Sequence, residues 1–205
     1  MHDGAQLEQV ARDVAGCTAC ALSRSRTRTV PGEGATNAQI MFIGEAPGFN
    51  EDKQGRPFIG QAGQFLGELL ASIDLSRTSV FITNVVKCRP PDNRDPLPDE
   101  INACDHFLQT QIQAIRPKMI VTLGRHSMAK FFPGESISRI HGQERRRDGI
   151  IYVPMYHPAA ALHQPALRAT IEADFRKLPG LLASLADQPE TPRSNPPNGT
   201  QLSFL

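Results

Sequence analysis

Four short runs of nearly unbroken apolar, β-favouring residues constrain this chain most: Ile40 to Gly44, Val80 to Val86, Met119 to Gly124 and Ile150 to Tyr156. A strand with one wet face alternates apolar and polar residues. A run that is apolar throughout is covered on both faces, as in a parallel sheet. Segments of helical length separate the runs, at residues 63–73, 98–115 and 125–132, and another spans residues 165–185 after the last run. This alternation predicts right-handed βαβ units. The expected fold class is α/β, a three-layer α/β/α sandwich with a central four-stranded, mainly parallel sheet. Before it, residues 1–16 read as an amphipathic helix with Leu7, Val10, Ala11 and Val14 on one face, and residues 21–38 as a polar loop holding Arg24, Arg26 and Arg28.

The chain has 205 residues, enough for one sizeable core. Composition shifts near Asp187 to a Pro-, Asn- and Thr-rich stretch that cannot bury enough apolar surface to order itself, so residues 1–186 are expected to form the domain and 187–205 a flexible tail. The longest apolar run falls well short of a bilayer span, and the N-terminus lacks the apolar core of a signal peptide. The chain reads as cytoplasmic, with no membrane partner. Its formal net charge of +1 gives no global case for binding a polyanion, so any nucleic-acid contact must come from local groups of basic residues. Such groups occur at residues 24–28, 87–94 and 139–147.

In a reducing compartment, four cysteines are better suited to metal ligation, catalysis or burial than to disulfides. They fall as Cys17-x2-Cys20, then Cys88 just after a predicted strand and Cys104 in the following helix. The spacing suits one metal centre fed by a CxxC and two more distant thiolates. By itself it does not separate zinc from iron–sulfur, and buried free thiols remain an alternative. Ligands of parallel α/β sheets bind beyond the carboxyl ends of the strands, which is where the unusual residues lie. Gly44-Glu45-Ala46-Pro47-Gly48 follows the first run, with Glu51 and Asp52 just beyond, and it has the composition of a tight turn that brings backbone close to a ligand. It matches neither a Walker loop nor GxGxxG. Phe58 is held among Gly55, Pro57 and Gly60, either as a base-stacking aromatic or as a core residue. Asn84 lies in the second run, and His157-Pro158 follows the fourth.

Taken in order, the CxxC, GEAPGxxED at residues 44–52, GRPFxGxAG at 55–63, TNxVKCRPP at 83–91, Cys104 and HPAxxL at 157–162 resemble the uracil-DNA glycosylase superfamily, specifically the family 4 enzymes. The likeness covers residues 17–182. It implies a 4Fe-4S cluster on Cys17, Cys20, Cys88 and Cys104, and a monomeric enzyme that removes uracil from DNA and leaves an abasic site. A base must leave the stack to be read in a pocket. The resemblance implies that Asn84 reads the uracil edge, since one amide can accept from N3–H and donate to O4, whereas cytosine presents the opposite pattern. It implies that Phe58 stacks on the flipped ring, that the turn with Ala46 and Gly48 contacts the base, and that His157 stabilises charge developing on O2. Where other branches of the superfamily carry a water-activating Asp or Asn, this chain has Ala46. Glu45 and Glu51 are the carboxylates left to orient water or stabilise the sugar cation.

Three further features bear on partners. The basic segment 138–147, with Arg139 and His141, reads as a solvated hairpin or a phosphate-contacting loop. A related uracil-crosslinking branch uses a His in an Arg-rich loop here, so His141 carries the alternative of a protein that traps uracil-DNA without turnover. Leu162 is an apolar candidate to fill the gap left by a flipped base. The last five residues, Gln201 to Leu205, resemble a bacterial sliding-clamp-binding peptide with its final two residues transposed.

Overall fold

The structure is a computed structural model and describes residues 4–185. The Pro-rich tail and the clamp-like residues 201–205 lie outside the described residues. Six strands form one sheet: β1 (Glu33–Gly34), β2 (Ile40–Gly44), β3 (Phe81–Asn84), β4 (Met119–Leu123), β5 (Arg145–Arg147) and β6 (Ile150–Met155). Their spatial order is β1-β3-β2-β4-β6-β5. The four central strands are the predicted ones and are parallel, with Gly44 opposite Asn84 and Leu123 opposite Met155. The expectation of four strands is corrected at the edges, where β1 and β5 each add an antiparallel strand.

Nine helices complete the described chain: α1 (Gly4–Gly16), α2 (Phe49–Gln54), α3 (Gln61–Ala71), α4 (Pro98–Ile115), α5 (Arg125–Ala129), α6 (Ile137–Ile140), α7 (Pro158–His163), α8 (Ala166–Phe175) and α9 (Leu178–Ala183). A 3-10 turn at Ala21–Arg24 and strand β1 lie in the segment expected to be loop. The long helix expected over 165–185 is two helices, broken at Arg176 and Lys177 ahead of Pro179. Proline lacks the N–H of a continuing helix and is tolerated in a first turn, so it starts α9 rather than extending α8. In α4, the Glu100 carboxylate accepts from the Leu97 backbone N–H (2.8 Å) and pairs with Arg94 at 2.6 Å, closing the first turn.

The sheet has two apolar faces because side chains alternate along each strand. Met41, Ile43 and Ile120 pack with Leu7, Val10 and Val14 of α1 and with Phe107 and Leu108 of α4. Ile40, Phe42, Val121 and Val153 pack with Phe65 and Leu66 of α3 and with Phe175 of α8. Phe42 stacks on Phe175 with ring centroids 5.8 Å apart. With both faces covered, the ligand-accessible part of the sheet is the carboxyl ends of β2, β3 and β6, where the turns at Gly44, Asn84 and His157 come together.

Candidate active site and cysteine centre

A cavity of about 450 Å3 opens at those strand ends. Its wall includes Glu45, Ala46, Pro47, Gly48, Glu51, Phe58, Asn84 and His157, which gathers all the residues expected to contact the base or to act on it. Pro90, Asn93, Arg94 and His163 also line it. Pro90 falls in the TNxVKCRPP stretch and Arg94 in the basic group 87–94, whereas Asn93 and His163 had no distinguishing pattern in the sequence; only the fold brings the four to the cavity.

Phe58 is both a core residue and part of the cavity wall. It is 6% exposed and belongs to the core, yet its ring borders the cavity and stacks on the His157 ring at 5.4 Å with 26° between planes. Its backbone sits at φ 51, where a non-glycine residue is costly. Two contacts hold it there. Arg77 donates to the carbonyls of Phe58 (2.8 Å) and Pro57 (2.6 Å). Glu51 Oε1 accepts from the N–H groups of Ile59 (2.9 Å) and Gly60 (3.0 Å). One Glu51 oxygen therefore binds the loop that carries Phe58.

Gly44 lets this arrangement close. A Cβ at this position would lie 2.6 Å from two ring carbons of Phe58 and closer still to Asn84 Oδ1. Gly124, at φ 96, plays the same part for His157, whose Cβ would be 3.1 Å from a Cβ there. Asn84 is 1% exposed, and its Oδ1 is buried without a hydrogen-bond partner. A buried amide oxygen left unpaired costs free energy unless a ligand completes it.

His157 caps α7. Its Nδ1 accepts from the Ala159 backbone N–H at 3.1 Å, so in the neutral ring the proton is on Nε2, the nitrogen free to donate. Burial pulls its pKa down to about 4, against an opposing pull from the Glu51 carboxylate. The ring is thus a neutral donor at ordinary pH. Burial raises Glu45 to about 7, helped by the Asp95 carboxylate and opposed by Arg125.

Lys87 departs from the expectation that residues 87–94 form a basic surface group. It is 1% exposed, and its Nζ donates to Thr83 Oγ1 (2.7 Å), the Asn84 carbonyl (2.7 Å) and Gln111 Oε1 (2.8 Å). Burial lowers its pKa to about 7. It supports the strand end that carries Asn84 and offers no charge to a ligand at the surface.

His141 lies apart from the cavity-lining residues. Its Nδ1 is 2.6 Å from Oδ2 of the buried Asp174, and its ring packs on Tyr156 at 4.8 Å. Arg139 in α6 and Arg145 to Arg147 in β5 are exposed around it. Phe49, Leu97 and Leu162 are the exposed large apolar side chains among the described residues. Phe49 follows Gly48 and Leu162 precedes His163 in the chain, and both of those neighbours line the cavity.

The four cysteines meet around a second, apolar cavity with Val14, Ala103 and Phe107, and all four thiols are free. The Lys87 N–H donates to Cys104 Sγ (3.3 Å) and Arg26 to Cys88 Sγ (3.2 Å). Burial pushes the Cys104 thiol up to about 11 and raises Cys88 as well. Four soft sulfur donors with N–H groups aimed at sulfur, in an apolar wall, fit a thiolate-bound metal centre.

Comparison with known proteins agrees with this geometry. Residues 31–178 match the model of the uracil DNA glycosylase superfamily. The chain is 52% identical over 182 residues to a type-4 uracil-DNA glycosylase of Sulfurisphaera tokodaii, covering 84% of this chain and 83% of the relative. It is 50% identical to one of Saccharolobus solfataricus, covering 87% of each. A type-5 uracil-DNA glycosylase of Pyrobaculum aerophilum is 31% identical, covering 71% of each.

Proposed function

The chain belongs to the uracil-DNA glycosylase superfamily, and from that membership we propose that it acts as its type-4 relatives are named. It takes deoxyuridine out of DNA, hydrolyses the N-glycosidic bond and leaves an abasic site, the first step of base-excision repair. The observation that carries this reading is the buried, unpartnered Asn84 Oδ1 at a cavity walled by a stacking aromatic and a neutral imidazole donor.

Each residue then has a part. The flipped uracil stacks on Phe58. Asn84 accepts from N3–H with its orphan oxygen and donates to O4 with its amide, an arrangement that rejects cytosine. The turn at Ala46 and Gly48 lies against the base. His157 donates its Nε2–H to O2 as the C1′–N1 electron pair moves onto the departing uracil. Such a preorganised donor needs no reorganisation during reaction, and a neutral ring keeps its proton through the cycle. Glu51, anchored through Oε1, places negative charge beside the forming sugar cation, and Glu45 accepts the proton of the attacking water.

The cluster on Cys17, Cys20, Cys88 and Cys104 is a 4Fe-4S centre in this reading. It joins the C-terminal end of α1 to the loop after β3 and to α4, and supports the DNA-binding side of the fold. DNA is held by exposed Arg139 and its neighbours, with His141 beside them and Leu162 entering the duplex. The domain spans residues 1–186 and works as a cytoplasmic monomer, and the tail from residue 187 docks on the sliding clamp through Gln201 to Leu205. No helix among the described residues is long and apolar enough to cross a membrane.

Purified protein incubated with a uracil-containing oligonucleotide tests the reading. Free uracil and an alkali-labile site are expected. A protein–DNA adduct that survives denaturation and disappears in His141→Ala would replace turnover with trapping.

A further inference from the structure

Glu45 does not act alone at the cavity wall. A carboxylate oxygen of Glu45 lies within 4.8 Å of one of Asp95, and Asp95 Oδ2 lies 3.1 Å from His126 Nε2, which is 3.9 Å from Glu45 Oε2. One ligand atom from each of the three residues falls within 4.8 Å of the others. They come from three places in the chain: the turn after β2, the loop before α4 and the first turn of α5. The Glu45 side chain is 23% exposed, that of His126 26% and that of Asp95 55%, so Asp95 is the member open to solvent. The Arg125 guanidinium lies 2.9 Å from Asp95 Oδ2 and 2.8 Å from His126 Nε2, offsetting the two carboxylates. The other charged or titratable groups at the Glu45 side of the cavity are Glu51, Arg94, His157 and His163.

We propose that Asp95 and His126 are positioning residues for Glu45, forming a carboxyl–carboxyl–imidazole group that carries the proton of the attacking water from the cavity to solvent. This rests on the glycosylase reading above. The step balances: the water oxygen bonds to C1′, the C1′–N1 bond breaks with its electron pair leaving on uracil, and the water proton passes to the Glu45 carboxylate. It then passes to Asp95, the member of the group open to solvent, and from there to bulk water, with His126 holding Asp95 in place, returning Glu45 to its basic form. A carboxylate beside another carboxylate binds a proton more tightly than either would alone, and that suits a group that must accept one near neutrality.

The test is uracil release across pH, in single-turnover for the acid limb and in multiple-turnover for the plateau, by the full-length, cluster-loaded protein, with Asp95→Asn and His126→Ala. The wild-type rate should fall on the acid side as Glu45 protonates, around its value of about 7. Asp95→Asn removes the like charge and should move that acid limb down by about one pH unit. His126→Ala should lower the multiple-turnover plateau, because Glu45 must shed its proton between turnovers, and imidazole added to the buffer should restore it. An Asp95→Asn limb superimposed on the wild-type limb overturns the proposal. So does a His126→Ala plateau that equals wild type, or one that imidazole leaves low. Absorbance of the cluster and the melting temperature show whether each variant is folded, and either variant alone decides. If the wild type itself releases no uracil, the glycosylase reading fails instead.

Discussion

Replacing His157 with glutamine separates a neutral hydrogen-bond donor from a general acid. In the structure, Nδ1 of His157 is occupied by the Ala159 N–H at 3.1 Å, and the ring is held between Phe58 and Gly124 with its pKa near 4. In the proposed reaction His157 supplies one preorganised Nε2–H, directed at the developing negative charge on uracil. Losing one such donor costs about 2.7–4 kcal/mol of transition-state stabilisation, or roughly 10²- to 10³-fold in rate. The glutamine of His157→Gln retains polarity but not the fixed direction, so most of that loss should appear in single-turnover rates at saturating enzyme. The ratio of wild-type to variant rate should also be constant from about pH 5 to 9, because a ring with a pKa near 4 is uncharged throughout. A general acid of ordinary pKa would instead make the ratio fall about tenfold per pH unit above about 6.5. A rate within threefold of wild type (a loss of only about 0.6 kcal/mol), or a ratio that collapses at alkaline pH, would refute the reasoning.

Three other outcomes follow from particular contacts. Gly44→Ala places a methyl against Phe58 and Asn84; it should cost about 1–3 kcal/mol of stability and reduce uracil release far more than DNA binding, measured by thermal melting and by affinity for uracil-containing DNA. Arg94 holds the Glu100 carboxyl below its ordinary pKa, with burial opposing and the Leu97 N–H assisting, so the pair stabilises the fold above the unfolded value of about 4.3 and is lost as pH falls through the lowered value. Wild-type protein should accordingly lose more melting temperature between about pH 5 and 3 than Glu100→Gln does. If the proposed centre is present, Cys104→Ser should abolish its visible absorbance and the matched iron and acid-labile sulfide, and destabilise the protein, because as a ligand Cys104 would join α4 to the loop after β3. Retention of iron at wild-type level in that variant would remove Cys104 from the ligand set.

The central sheet was legible because its strands are buried on both faces: Ile40 to Gly44 and the span of α4 agree residue for residue with the structure. The edge strands were not, since β1 has two residues and β5 is three exposed arginines with no apolar pattern to read. The position of Pro179 was visible, but its consequence, a break at Arg176 and Lys177, depends on how the two helices pack over the sheet. Glu45, Asn84 and His157 could be picked out because each lies at or beside a strand end, and Phe58 because it stands among glycines and a proline in the loop between α2 and α3. Asp95 and His126 could not, because nothing local marks them, and Lys87 stands in TNxVKCRPP with nothing to mark it as buried. Lys87 looks like one more basic residue in a basic run, and only the fold turns its side chain inward to the Asn84 carbonyl. The same holds for Glu45 and Glu51, equal in sequence and distinct in structure. Glu51 is bound by two backbone N–H groups, whereas Glu45 faces Asp95 and has its pKa raised.

The most direct test of the account is a denaturing-gel assay of the cluster-loaded protein on a uracil-containing strand, with cytosine- and thymine-containing strands beside it. Free uracil and an alkali-cleavable site are predicted at the uracil position alone, with unmodified protein recovered. An intact strand after alkali, cleavage at cytosine, or a stable protein–DNA adduct in place of free uracil would contradict it.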